Sequence, residues 1–193
     1  MTEVYVLDIT NLELEKHLKK LPSNFLDQVN KYKEEDQRRR SFFSWYLLYL
    51  KLVERKINVS NLKVEFNENG KPLIEGINFN ISHSYNLVAI AISSHEVGID
   101  LELVEEKDNE RIAKKIMNEE EYQKYLKNKE YFYKVWTKKE AYLKRKGLSL
   151  EFALNKDQRI EDVASYYIQD EDYNDYYLSV SPSGSRVEFI NLE

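Results

Sequence analysis

The chain has 193 residues, of which 33% are charged and 42% hydrophobic, and its formal net charge is -5. This composition predicts a globular protein of one domain or two closely packed lobes, and the acidic balance argues against nucleic acid as a partner. The absence of cysteine excludes disulfides, thiolate metal sites and a cysteine nucleophile. Because the sequence shows neither a basic segment followed by an apolar run at its start nor 18 consecutive apolar residues, we expect a cytoplasmic protein without membrane contact.

The first third of the chain predicts one strand and three helices. Residues 4–9 have a strand pattern, and short helical stretches follow at residues 12–18 and after Pro22. Apolar residues at helical spacing from Phe42 to Val53 predict one long helix that ends near Lys56. Basic residues stand at its amino-terminal part, namely Lys33 and residues 38–40. They are either a solvated basic turn or a clamp for an anionic ligand.

Three strands are predicted in succession in the middle of the chain, at residues 79–84, 87–92 and 97–103. Short loops join them, which predicts an antiparallel sheet. A tight turn at Gly70 precedes them, and we expect Lys71, directly after this turn, to be exposed and free to meet phosphate. His83 lies between Ser82 and Ser84 at a strand end. A single histidine is more often structural, but the flanking hydroxyls make this one a candidate ligand contact.

Three carboxylates can converge on one point from two rigid elements. In the strand at residues 97–103, Asp100 and Glu102 alternate with apolar residues, which puts both on the solvent-exposed face. In the helix predicted at residues 130–146, Glu140 and Lys144 stand one turn apart on one face. Oxygen clusters of this kind bind hard cations such as Mg²⁺. The alternative for each motif alone is an amphipathic strand and a solvated helix face.

The last part of the chain begins after an acid-rich loop at residues 105–110, which is the candidate boundary between lobes at residues 1–104 and 105–193. Asn118 and Glu121 have the spacing of a helix-capping pair, so capping is one explanation for Glu121. Gly147 predicts the end of the helix that carries Glu140. Strand patterns follow at residues 163–168, 176–180 and 187–190.

Taken together, four motifs resemble those of the 4′-phosphopantetheinyl transferases of the larger, surfactin-synthetase-activating type. In chain order they are Gly70-Lys71-Pro72, Phe79-Asn80-Ile81-Ser82-His83-Ser84, Gly98-Ile99-Asp100-Leu101-Glu102 and Phe132-x-x-x-Trp136-Thr137-x-Lys139-Glu140-Ala141-x-x-Lys144. The resemblance covers roughly residues 20–150, and the part after about residue 158 is not matched. A second glycine usual in the family is missing after Gly147. The resemblance implies an α+β fold of two pseudo-twofold-related lobes, each a small antiparallel sheet packed with helices, with the site between them.

The resemblance also implies an activity and a set of site residues. The family transfers the 4′-phosphopantetheine arm of coenzyme A to a serine of an apo acyl or peptidyl carrier protein, with Mg²⁺ or Mn²⁺, and releases 3′,5′-ADP. We therefore expect a monomer whose partners are coenzyme A and a carrier protein. The implied roles are metal binding by Asp100, Glu102 and Glu140; catalysis by Glu121 as general base together with Glu140 and Lys144; pyrophosphate contact by His83 and Lys144; nucleotide or 3′-phosphate contact by Lys71 and Ser82; and further coenzyme A contacts by Lys33, Arg39 and Lys139.

Two other function classes use the same residues. One is a Mg²⁺-dependent phosphohydrolase or nucleotidyl transferase, which would turn over without a carrier protein. The other is a non-catalytic module that binds carrier proteins. Such a module predicts the loss of a metal ligand, whereas all three acids are present in this chain.

Overall fold

Two β-sheets packed with helices, together with a separate two-stranded sheet, form the fold in the computed structural model, which describes residues 1–156 and 160–192. The α+β class is therefore confirmed. In chain order the elements are β1 (Thr2–Asp8), α1 (Leu14–His17), α2 (Ser23–Val29), α3 (Glu35–Glu54), β2 (Glu65–Phe66), β3 (Pro72–Leu73), β4 (Asn78–Ser84), β5 (Leu87–Ser93), β6 (Gly98–Leu103), α4 (Glu110–Ile116), α5 (Glu119–Lys127), α6 (Tyr131–Lys146), α7 (Leu150–Ala153), β7 (Ala164–Gln169), β8 (Asp175–Ser181) and β9 (Arg186–Ile190). No helix in these described ranges is long and apolar enough to cross a membrane.

The pairing of the strands corrects two predictions. The first sheet has the order β4-β5-β1-β9, and its β1–β9 pair is parallel, so this sheet is not purely antiparallel. The second sheet has the order β6-β8-β7. The strand β6 therefore pairs with β8 and not with β5, as the three successive strands had suggested. Because β6 belongs to the second sheet and β9 to the first, the predicted boundary between residues 1–104 and 105–193 does not coincide with the sheets.

The strand β5 explains why the two sheets stack. Its residues from Leu87 to Ile92 are all buried, on both faces of the strand. Val88 and Ile90 pack into the core formed with α3, while Leu87 and Ala89 pack against the apolar side chains of β6 and β8. A strand that is apolar on both faces is stable only between two covering layers. This strand therefore fixes α3 on one side of the first sheet and the second sheet on the other.

Helix α6 packs directly on β6 because Gly98 has no side chain. A Cβ atom built on Gly98 would lie 2.0 Å from the carbonyl oxygen of Ala141 and 2.3 Å from the backbone nitrogen of Arg145. Any larger residue would push the helix away from the strand. The helix ends at Gly147, whose φ of 65° is the left-handed conformation predicted for a C-terminal stop.

Candidate active site

A cleft of about 340 Å³ lies where β4, β6, α3 and α6 meet. Polar and charged groups line it together with aromatic residues. The residues that line it are Gln28, Lys31, Tyr32, Ser41, Ser44, Trp45, Phe66, Gly70, Pro72, Ile81, Ser82, His83, Asp100, Leu101, Glu102 and Lys144. The cleft therefore contains five of the residues that the sequence motifs predicted, namely Ser82, His83, Asp100, Glu102 and Lys144.

A partly buried ion pair lines this cleft. The Nζ atom of Lys144 lies 2.6 Å from Oδ1 of Asp100, and the hydroxyl of Ser82 donates to the same oxygen at 3.1 Å. The other carboxylate oxygen, Oδ2 of Asp100, is buried without a hydrogen-bond partner among the described residues. Asp100 is only 4% exposed. The expectation that it lies on a solvent-exposed face is therefore wrong, because α6 and β4 cover that face of β6.

Like charges surround this ion pair. Burial, and then the neighbouring Asp100, raise the pKa of Glu102 to about 7. The same two causes raise the pKa of Glu140. Burial disfavours the ammonium of Lys144, but Asp100, and more weakly Glu140 and Glu102, hold its pKa above the ordinary value. Three carboxylates thus share the field of one ammonium, which leaves the site with an excess of negative charge.

The donor set fits a hard divalent cation. It offers carboxylate oxygens only, one of which is buried without a partner, and the mutual repulsion of the acids would be relieved by a metal ion. The described residues contain no group of three or more acidic or histidine side chains already at metal-binding spacing. In this arrangement the ammonium of Lys144 neutralises the charge of Asp100.

His83 lies beside Arg40, one of the three consecutive arginines at the start of α3. Burial first, and then the nearby Arg40, lower the pKa of His83 to about 4, so its imidazole is neutral near pH 7. Arg40 and His83 also line a second recess together with Tyr85. Residues 37, 40, 41 and 44 of α3 line one or other of these two recesses. Their helical spacing is the signal that would have identified Arg40.

Lys33 and Arg39 are not brought to the cleft. Both line a separate recess beside α1, where Arg39 donates to the backbone carbonyls of Ile9, Thr10 and Leu12. Arg39 thus holds the chain after β1 instead of facing the cleft. Among the basic residues near the start of α3, Lys31 lines the cleft, with its Nζ atom 4.3 Å from the centroid of the Phe66 ring.

Two other residues predicted to contact coenzyme A instead donate hydrogen bonds to backbone carbonyls. Lys71 is half-buried, and its Nζ atom donates to the carbonyls of Val97 at 3.0 Å and Lys144 at 2.7 Å. Burial lowers its pKa. The expectation of an exposed Lys71 is therefore wrong, because the side chain joins the β2–β3 turn to α6. Lys139 is buried on another face of α6, where it donates to the carbonyl of Asn155 at 2.9 Å.

Glu121 forms the capping box that its spacing suggested. Its backbone N–H donates to Oδ1 of Asn118 at 2.9 Å, and its Oε2 accepts the backbone N–H of Asn118 at 3.1 Å. The capping explanation is confirmed. Glu121 does not line the cleft. Its role as general base stays a prediction.

Comparison with known protein families finds one match within this chain. Residues 96–184 match the family model described as the 4′-phosphopantetheinyl transferase superfamily. This region runs from the start of β6 through α6 to β8, and so contains Asp100, Glu102, Glu140 and Lys144. This region is similar to the 4′-phosphopantetheinyl transferase superfamily. The family predicted from the four motifs is therefore confirmed.

Curated relatives match the same superfamily. The chain is 39% identical over 117 residues to 4′-phosphopantetheinyl transferase gsp of Aneurinibacillus migulanus, a match that covers 56% of this chain and 49% of that protein. It is 32% identical over 108 residues to 4′-phosphopantetheinyl transferase Sfp of Bacillus subtilis, covering 52% and 48%. The 30% identity to 4′-phosphopantetheinyl transferase HetI of Nostoc covers 73% and 65%. The matches thus span about half the length of the first two relatives.

Proposed function

We propose that this protein transfers the 4′-phosphopantetheine arm of coenzyme A to a serine hydroxyl of an apo carrier protein. The observation that carries the proposal is the cluster of Asp100, Glu102, Glu140 and Lys144, formed within the region that is similar to the phosphopantetheinyl transferase superfamily. An acidic cluster with one lysine, beside a cleft with aromatic walls, suits a nucleotide pyrophosphate held through a cation. The proposal includes a cytoplasmic monomer whose partners are coenzyme A and the carrier.

The reaction makes one phosphorus–oxygen bond and breaks another. The serine oxygen of the carrier attacks the phosphorus atom on the pantetheine side of the pyrophosphate, the bond to the second phosphate breaks, and 3′,5′-ADP leaves. The serine proton must pass to a base or to solvent. Because the attacked group is an anion, catalysis depends on positioning the nucleophile and on neutralising negative charge.

The residues of this chain supply both requirements. Lys144 is held in the cleft by Asp100 and provides a fixed positive charge. His83 is neutral and can donate a hydrogen bond to a phosphate oxygen, while Arg40 beside it adds a second positive charge. Asp100, Glu102 and Glu140 would hold Mg²⁺ or Mn²⁺, which supplies Lewis-acid neutralisation of the pyrophosphate when bound.

The other predicted contacts enter the proposal with different roles. Ser82 contacts Asp100 and lies 3.4 Å from Nζ of Lys144, so we assign it to the cluster and not to the nucleotide. Lys71, Arg39 and Lys139 stabilise the frame around the cleft through backbone carbonyls. Lys31 replaces Lys33 as the lysine best placed to meet a phosphate at the cleft entrance.

Intact-mass spectrometry tests the proposal directly. A panel of apo carrier proteins from fatty-acid, polyketide and nonribosomal-peptide synthesis is incubated with the protein, coenzyme A and Mg²⁺. We expect at least one carrier to gain the mass of one phosphopantetheine arm and 3′,5′-ADP to appear in equal amount. Release of nucleotide without any carrier would favour the phosphohydrolase alternative. Binding of carriers without any mass gain would favour the non-catalytic module.

A further inference from the structure

Three polar side chains of β4 join the two sheets where no backbone ladder does. Oδ1 of Asn80 accepts the N–H of Ile99 at 2.8 Å, Oγ of Ser82 accepts the N–H of Leu101 at 3.1 Å, and Oγ of Ser84 accepts the N–H of Leu103 at 3.0 Å. We call Asn80, Ser82 and Ser84 the β4 seam. The acceptors alternate along β4 and the donors alternate along β6, so the seam continues the two-residue period of both strands.

The seam answers a physical requirement of β6. One edge of β6 pairs with β8, and the N–H groups on its other edge are inside the protein, where an unpaired donor is costly. In an ordinary sheet the carbonyls of a neighbouring strand would accept these donors. Here the neighbouring strand β4 belongs to the other sheet, and its side chains accept them instead.

Both serines of the seam make a second bond, to a carboxylate of the proposed metal site. Ser82 donates to Oδ1 of Asp100 at 3.1 Å, and Ser84 donates to Oε2 of Glu102 at 3.4 Å. A serine hydroxyl has one proton to donate, so a hydroxyl whose oxygen accepts a fixed backbone N–H directs that proton to the carboxylate. Each serine thus accepts the backbone N–H of the residue 19 positions later in the chain. It donates to the carboxylate of the residue 18 positions later.

The third member of the seam fits the same rule. The residue 18 positions after Asn80 is Gly98, which has no side chain to receive a proton. The position needs an acceptor for the N–H of Ile99 but no donor to a carboxylate, and the side-chain oxygen of Asn80 supplies that acceptor. Within the seam, a serine therefore occurs only at the two positions that face an acidic residue of β6.

We propose that Ser84 is a positioning residue that aims the carboxylate of Glu102 into the cleft, and that Ser82 does the same for Asp100. The proposal rests on the proposed function, because it takes Asp100 and Glu102 to be the metal ligands. It gives the two serines that flank His83 a role through the carboxylates instead of a direct contact with coenzyme A. Hydrogen-bond partners that orient ligating carboxylates commonly change metal affinity or activity by about 10–100-fold when removed.

Ser84 gives a cleaner test than Ser82, because Ser82 also contacts Lys144. Three variants are compared with the wild-type protein: Ser84→Ala, Ser84→Thr and the control Ser93→Ala. Ser93 lies on β5 in the same sheet, and its hydroxyl likewise accepts a backbone N–H, from His95 at 3.3 Å, but it is not a cleft residue. Binding of Mn²⁺ in the presence of coenzyme A is measured by electron paramagnetic resonance, without any carrier protein.

We expect Ser84→Ala to weaken Mn²⁺ binding by about tenfold, the lower end of the usual range. Ser84→Thr keeps the hydroxyl and should restore binding, and Ser93→Ala should bind Mn²⁺ like the wild type. Hydrogen exchange at the amide of Leu103 should become faster in Ser84→Ala only. If the alanine variant does not fold, Ser84→Cys provides the same comparison, because a thiol is a weak donor and acceptor.

The outcomes separate this proposal from the proposed function. A wild-type protein that modifies carriers and binds Mn²⁺, with Ser84→Ala binding Mn²⁺ equally well, would overturn the positioning role and leave the transferase activity standing. The same holds if Ser84→Ala only lowers the melting temperature. A wild-type protein that neither binds Mn²⁺ nor modifies any carrier would overturn the proposed function, and with it this inference.

Discussion

Two buried aspartates of this protein have opposite surroundings. Asp100 in the cleft is 4% exposed and Asp170, in the turn between β7 and β8, is 6% exposed. Asp170 accepts hydrogen bonds from the backbone N–H of Asn174 at 2.8 Å, the hydroxyl of Tyr176 at 2.8 Å and the side-chain amide of Asn86 at 3.4 Å. Asp100 has one ammonium and one hydroxyl as partners, and its Oδ2 atom has none among the described residues.

The pKa shifts follow from these surroundings. Burial alone would raise the pKa of Asp170, but the hydrogen bonds from Asn174, Tyr176 and Asn86 hold it below its usual value. Around Asp100, burial and like charges instead raise the pKa values of Glu102 and Glu140. A carboxylate with every oxygen satisfied stabilises the fold, whereas a group of buried acids with too few partners costs stability and is expected at a functional site.

The Asp170 turn connects the two sheets through hydrogen bonds. Asn86 belongs to the turn between β4 and β5 of the first sheet, and the backbone N–H of Glu171 donates to Oδ2 of Asp8 at the end of β1 at 2.6 Å. We call these contacts of Asp170 and Glu171 with Asn86 and Asp8 the clasp, because they join the two sheets. The acidic residues of the cleft, in contrast, have too few hydrogen-bond partners to balance their negative charge. Replacing each aspartate by asparagine, which has the same shape, tests this division.

We expect Asp100→Asn to have the largest effect of all the variants. This effect should be on the rate of phosphopantetheine transfer and not on the stability of the fold. A metal ion at a phosphoryl group is worth several kcal/mol, so losing one charged ligand should slow transfer by about 10²–10³-fold. The melting temperature should change less than in the Asp170 variant, because like-charge repulsion with Glu102 and Glu140 is relieved. Kinetics by intact-mass spectrometry and a thermal melt measure the two effects. A folded Asp100→Asn protein with wild-type transfer would contradict the assignment of the cluster.

The reverse pattern is expected for Asp170→Asn. An amide has one acceptor oxygen, so the donors on its other side lose their partner, which costs about 2–3 kcal/mol of unfolding free energy. For a chain of this size the melting temperature should fall by about 4–12 °C. Transfer per folded molecule should be unchanged. Asp172→Asn is the matched control, because Asp172 stands in the same turn with an exposed side chain. If Asp172→Asn destabilised equally, net charge and not the clasp would explain the loss.

Local patterns predicted much of this fold. The strands expected at residues 163–168, 176–180 and 187–190 correspond to β7, β8 and β9, and the helix that ends at Gly147 corresponds to α6. The strand β6 and the helix α6, both predicted from local spacing, place Asp100 and Lys144 on facing surfaces. These features depend on a few neighbouring residues, which is why the sequence shows them.

Long-range partners could not be predicted in the same way. Since β5 is apolar on both faces, nothing in its sequence says whether the next strand pairs beside it or stacks on it, and β6 was wrongly placed in its sheet. The partners of Lys71 are backbone carbonyls of Val97 and Lys144, which leave no mark in the sequence. One signal was overlooked, namely the alternating polar residues of the β4 seam, which indicate a strand that bonds its neighbour through side chains.

The stability difference between the wild type and Asp170→Asn should depend on pH. The folded-state pKa of Asp170 lies below the unfolded-state value of about 3.9, so its contribution is fully present above that value and is lost as the pH falls through the folded-state pKa. Urea unfolding at pH 6, 4 and 3 should therefore show a difference that shrinks at the lowest pH. The carboxyl groups of Asp8 and Glu171 lie near this turn, but both proteins retain them. If the difference in unfolding free energy between the two proteins were the same at all three pH values, the negative charge of Asp170 would not be what stabilises this turn.

Glu121 provides the smallest expected effect and the sharpest test of the rule drawn from the two aspartates. Its carboxylate accepts the N–H of Asn118 and lies outside the cleft, so by that rule it is structural. Glutamine also completes a capping box, so Glu121→Gln should change the unfolding free energy by less than about 0.5 kcal/mol and leave the transfer rate close to that of the wild type. A general base would behave differently: the same substitution would slow transfer by about 10²–10⁴-fold while coenzyme A affinity stayed normal. Steady-state rates across a Mg²⁺ titration, with coenzyme A binding measured by calorimetry, separate these results. A large loss of rate with normal binding would show that hydrogen-bond satisfaction alone does not identify the catalytic acids of this protein, because the capping contact would then have to be released when the carrier serine arrives.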